Sequence, residues 1–133
     1  MAIKRIMNFK KGDTNFHYFR LPVANWTTGS TLSFAAKPAV DNDAVDAAAV
    51  INKSFTGSAI VGPTHSQYVA DHSTYELRFN PIDVTNVTYA PGEKMKKYLG
   101  EFQLVSPSGP VSSSPSDSDF IEVRVHGDIK RVQ

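Results

Sequence analysis

Cysteine is missing from this chain, so no disulfide can staple it and no thiolate can hold a metal or attack a substrate. Long apolar runs are missing as well, and no stretch approaches the roughly 18 residues that read as a membrane-spanning helix. A surplus of either charge is also absent: 14 basic residues stand against 13 acidic ones, a formal net charge of +1. Proteins that bind nucleic acid draw most of their non-specific affinity from clustered cations, so this balance argues against such a partner. The opening residues, Met1 to Met7, carry charge with no apolar stretch behind them, unlike a secretory leader. A soluble protein made in a cytoplasm is expected.

What is present is enough apolar surface for a core. The chain has 133 residues, 41% of them hydrophobic, with 8 Phe, 5 Tyr and 1 Trp. That length suits one domain that buries roughly two thirds of its unfolded surface.

Short alternating segments separated by turn residues dominate the pattern. Ile3, Ile6 and Phe9, interspersed with Lys4, Arg5, Lys10 and Lys11, suggest a first strand or an arm. Gly12-Asp13 turns the chain, and Asn15 to Leu21 is rich in strand formers before Pro22. Its inward face is ambiguous, because Phe16 and Tyr18 compete with Phe19 and Leu21. Leu32, Phe34 and Ala36 share one face of the next strand. Asp41 to Ala49 is acidic and alanine-rich, a helical turn or a loop. Ala49 to Phe55, Ser58 to Val61, Gln67 to Ala70, Tyr75 to Phe79 and Tyr98 to Val105 follow as strand candidates. Ser106 to Asp119 reads as a mobile Ser/Pro-rich loop. Ile121, Val123 and Val125 face inward on the cleanest strand, and His126-Gly127-Asp128 turns into Ile129 to Val132. Seven to nine short strands predict an all-β, antiparallel sandwich as a single domain.

Chemistry-bearing clusters are sparse. His17, His65, His72 and His126 show no metal-ligand spacing. Asp71-His72-Ser73 holds three triad residue types, but neighbours in a chain do not adopt nucleophile, base and orienter geometry with one another. Asp41 to Asp46 has calcium-loop flavour yet lacks the glycine at position six and the glutamate at position twelve, and Asp117-Ser-Asp119 reads likewise as a solvated acidic loop. No catalytic, cofactor or metal residue is assigned, and no enzyme is expected. Partner contacts are assigned instead to Ile3, Arg5 and Phe9 of the first segment, Trp26 of a polar loop, and Lys94, Lys96 and Lys97 of the run Glu93 to Lys97. Lysines there either protect an edge against unwanted strand pairing or meet an acidic partner surface.

The succession Lys11-Gly-Asp-Thr-Asn-Phe16, Gly29 to Lys37, Val50 to Thr56, Tyr75 to Asp83, Ala90-Pro-Gly92 and Tyr98 to Val105 resembles the N-terminal domain of phage baseplate upper proteins. The likeness covers nearly the whole chain and rests on turn-and-strand motifs. The resemblance implies an immunoglobulin-like sandwich used as a virion building block, with no catalytic residues. The helix and receptor-binding region that follow this domain in those proteins have no counterpart up to Gln133. The expectation therefore extends to a capsid decoration protein, a head-fibre base or a tail adaptor. Its partners would be further copies of itself and other virion proteins, with neither nucleic acid nor a membrane. The alternative is a carbohydrate-binding adhesion module that stacks host glycans on Trp26, Tyr68 and Tyr89.

Overall fold

Side-chain alternation decides which segments become strands. The computed structural model describes residues 3–22, 29–38, 49–107, 109–114 and 120–127. They form β1 (Ile3–Lys10), β2 (Asn15–Pro22), β3 (Thr31–Lys37), β4 (Ile51–Phe55), β5 (His72–Phe79), β6 (Met95–Ser106), β7 (Gly109–Ser114) and β8 (Phe120–His126). In β3, Leu32, Phe34 and Ala36 are fully buried, and in β8 Ile121, Val123 and Val125 are buried, both as the two-residue period predicts.

The ambiguity in β2 is resolved by its partner. β2 pairs antiparallel with β5, placing His17 opposite Leu77 and Phe19 opposite Tyr75. Opposed residues share a face. Because Tyr75, Leu77 and Phe79 are fully buried, His17 and Phe19 must also turn inward, and Phe16 is left 49% exposed.

Two sheets face each other as a β-sandwich. The larger has six strands in the order β1-β8-β6-β3-β4, with β7 also on β6, and the smaller is the β2–β5 pair. β6 is the axis of the large sheet. β3 lies along one of its edges, while β8 and then β7 share the other, at Met95–Gly100 and Phe102–Ser106 respectively. The pairing is antiparallel except for β1, which runs parallel to β8 with Lys10 opposite His126. The first segment is thus an integral strand rather than an arm.

Three local expectations are corrected. Gly109–Ser114, read as part of a mobile loop, is β7, because β6 extends to Ser106 and offers it an edge. Ser58 to Val61 is no strand: Gly57–Ala59 forms a 3-10 turn and Ile60 makes a single bridge to Tyr75. Gln67 to Ala70 spends its backbone on local turns, with Tyr68 N–H donating to His65 and His72 N–H to Val69. The acidic segment 41–48, residues 115–119 and the segment 129–132 lie outside the described residues.

The core is an aromatic stack between the sheets. Phe79 of β5 meets Phe9, Phe34 and Phe55 edge-on at centroid distances of 4.9, 5.7 and 5.5 Å. Phe19 of β2 reaches Phe102 of β6 at 4.6 Å. Such pairs add about 0.5–1.5 kcal/mol each beyond the area they bury.

Gly100 makes room for this stack. A Cβ there would stand 2.7 Å from Val123 Cγ2 and 3.1 Å from the Phe34 ring. Gly100→Ala is therefore expected to cost about 1–3 kcal/mol in denaturant unfolding, the usual penalty of overpacking. Gly62→Ala, where a Cβ would meet nothing within 4 Å, should leave the midpoint nearly unchanged.

Candidate interaction surfaces

The sandwich is closed at its sides by cations that reach from one layer to the other. Arg5 of β1 donates to the Tyr18 carbonyl of β2 at 2.7 Å, with its guanidinium 5.9 Å over the Phe102 ring. Lys53 of β4 donates to the Arg78 carbonyl at 2.7 Å and to Asp83 Oδ2 at 2.6 Å. Asp83 also accepts the Asn80 N–H at 2.7 Å, fixing the Pro81–Val84 turn. Lys11 donates to the Val87 carbonyl. Each ammonium or guanidinium lays its aliphatic stem along the core while its head satisfies a main-chain acceptor.

His17 belongs to the same seam. Its ring lies 4.6 Å from Phe9 and 6.1 Å from Phe79, and Nε2 is buried without a hydrogen-bond partner. Burial, reinforced by the Arg5 charge, pushes its pKa below the ordinary value, while a hydrogen bond to the Asn8 backbone pulls the other way.

On the outer face of the small sheet, Glu76 Oε2 accepts from His65 Nε2 at 2.7 Å and from the Tyr18 hydroxyl at 3.2 Å. Gln67 N–H donates to His65 Nδ1 at 3.0 Å, so both ring nitrogens are engaged. The trio braces the 61–71 loop against the sheet. Arg20 assists by donating to Thr74 Oγ1 at 3.1 Å and to the Gln67 carbonyl at 2.7 Å. His72 bonds the Ala70 carbonyl at 3.1 Å, and Ser73 is buried on β5, so Asp71-His72-Ser73 forms no relay. Among the described residues, no group of three or more His, Asp or Glu could hold a metal ion, and no helix is long and apolar enough to cross a membrane.

The sequence-assigned contact residues separate into three sets. Arg5 and Phe9 face the interior; Phe9 is 1% exposed and its surface is spent in the core. Ile3 opens β1 opposite Phe120, and Trp26 lies outside the described residues. Lys94 and Lys97 are exposed, whereas Lys96 leans to within 3.7 Å of Glu93. Of the other aromatic platforms, Tyr68 is 39% exposed. Tyr89 packs against the core and donates its hydroxyl to the Val125 carbonyl at 2.9 Å.

One concavity gathers polar side chains that sequence reasoning did not connect. A cleft of about 460 Å³ is lined by Asn8, Phe9 and Lys10 of β1, Asn15 of β2, Lys94 before β6, and His126 and Gly127 at the end of β8. His126 Nε2 donates to Asn8 Oδ1 at 3.0 Å across 118 residues of sequence. Only the parallel β1–β8 register brings these groups together, and no local motif announces it.

No family profile, curated protein or solved structure matches the chain.

Because His17 stays neutral in the fold, acid should act on it selectively. Below about pH 6.5 the unfolded chain takes up a proton that the folded chain resists, so His17 lowers stability progressively as pH falls through that value. Urea unfolding at pH 7 and pH 5 is expected to show wild type losing more stability than His17→Phe. Equal losses in the two proteins would remove His17 from the account.

A second substitution checks the opposite seam. Lys53→Met keeps the stem but strands the half-buried Asp83 carboxylate, and should cost about 1–3 kcal/mol in the same assay.

Proposed function

We propose that this protein is a non-enzymatic structural component of a bacteriophage particle, an immunoglobulin-like sandwich that works by assembling in many copies with neighbouring virion proteins. Capsid decoration, a head-fibre base and a tail or baseplate position all fit that role. The observation that carries the reading is β1. Among the described residues it pairs with β8 alone, and its outward-facing Ile6 is 44% exposed. An edge strand with an exposed apolar side chain suits addition of a neighbour's strand, where main-chain hydrogen bonds bind and alternate side chains select. Repetition around a symmetric particle turns modest contacts into stable attachment.

A second reading, a glycan-binding adhesion module, draws on the outer face of the small sheet. Phe16 is exposed there with the Arg78 guanidinium 5.8 Å over its ring, and Tyr68 is exposed on the adjoining loop.

Co-sedimentation with purified particles of the source phage decides between them. Binding at a fixed multiple of three, five or six is expected. Ile6→Gln should weaken attachment by roughly fivefold per contact, the equivalent of about 1 kcal/mol of lost apolar burial. A chain that ignores the particles but binds a glycan array through Phe16 and Tyr68 would overturn the assembly reading.

A further inference from the structure

We propose that the cleft between β1, the start of β2 and the end of β8 binds a compact oxyanion, a phosphate or sulfate group carried on a small polar body. Its volume of about 460 Å³ lies within the range of small-molecule sites, on the order of 300–1,000 Å³. Lys10 and Lys94 are among its lining residues, from different elements, and among the described residues no Asp or Glu lines it.

Two acids of the adjoining strand and turn are engaged elsewhere. Glu122 pairs with Arg124 on its own strand. Glu93 accepts the Ala90 N–H at 3.1 Å and lies 3.7 Å from Lys96. Strand register sets Lys10 opposite His126, and Lys97 stands opposite Arg124 on the neighbouring strand.

Hydrogen-bond polarity points the same way. Both amide oxygens of the cleft are already committed as acceptors: Asn8 Oδ1 takes His126 Nε2–H, and Asn15 Oδ1 takes the Lys10 N–H at 2.9 Å. What the two lysines and the Asn8 amide nitrogen still offer is donors. A ligand rich in acceptors and negative charge satisfies them; a cation or a neutral donor does not. Lysine meets an anion as a point charge without the planar fork of arginine, which suits a tetrahedral oxyanion approached from several sides. Two lysines in a recess are too few to neutralise a nucleic-acid backbone.

The site stands independently of the assembly reading, because the isolated chain suffices to test it. Amide chemical shifts of the full chain would be followed during titration with sodium phosphate, sodium sulfate, glucose 6-phosphate and glucose. Saturable shifts at Lys10, Lys94 and Gly127 are expected with the anions and none with glucose. The phosphate ester should bind more tightly than free phosphate. Comparing phosphate with sulfate identifies which oxyanion is preferred. The double variant Lys10→Gln/Lys94→Gln, altered at exposed positions, should melt as wild type does and bind at least tenfold more weakly. Arg20→Gln, which removes one charge from the other sheet, should bind normally. Absence of saturable shifts, binding that survives the double substitution, or binding to a DNA duplex but to neither small anion would overturn the proposal. An ester no tighter than free phosphate would overturn its small-body part.

Discussion

A two-stranded ribbon is marginal in water by itself, and among the described residues such a ribbon packs across one face of a six-stranded sheet. Its inward side chains therefore have to be large. β2 and β5 meet that demand with Phe19, Tyr75, Leu77 and Phe79, all packed in the core. Phe79 is the junction, since its ring touches phenylalanines from β1, β3 and β4 at once. The large sheet reciprocates with space: Gly100 on β6 lets the Phe34 ring lie against β6 and β8 where any side chain would intrude. Removing bulk from the ribbon, or adding it opposite Gly100, disturbs the same contact from two directions.

Because the covering layer is narrow, the flanks of the sandwich need separate closure. On one flank Arg5 and His17 tie β1 to β2, and on the other Lys53 ties β4 to the end of β5 and the turn after it. The acceptors are mostly backbone carbonyls, whose positions are fixed by the strands. A charged donor on a fixed neutral acceptor is stronger than a neutral pair and does not require burying a second charge. The consequence for the surface is that several basic residues conspicuous in the sequence are structural, whereas Lys10 and Lys94 line the cleft.

Strand periodicity alone revealed the sandwich and the inward faces of β3 and β8, because an alternating pattern has a single solution once one side must be dry. It failed where the deciding information lay in a partner strand. β2 carries aromatics on both faces, and only the buried alternation of β5 selects Phe19 over Phe16. β7 is composed of Gly, Pro, Val and Ser, a loop-like composition that becomes a strand because β6 is long enough to pair with it. Phe9 and Arg5 looked like contact residues because they sit in a charged first segment, yet β1 turns both toward the interior. The cleft was illegible for a related reason. Lys94 was noticed within its local charge run, but Asn8, Asn15 and His126 acquire meaning only through a register that joins opposite ends of the chain.

That same register governs how the protein comes into being. β8 lies between β1 and β6, so β1 waits without its neighbour until all the intervening strands have been synthesised. Contacts this distant in sequence carry the largest loop-closure cost and slow the search for the native arrangement. During that interval β1, with its outward Ile6, is a bare strand in a crowded cell, and its basic residues are the natural guard against mispairing. The long-range hydrogen bond between Asn8 and His126 therefore marks the moment at which β8 docks beside β1.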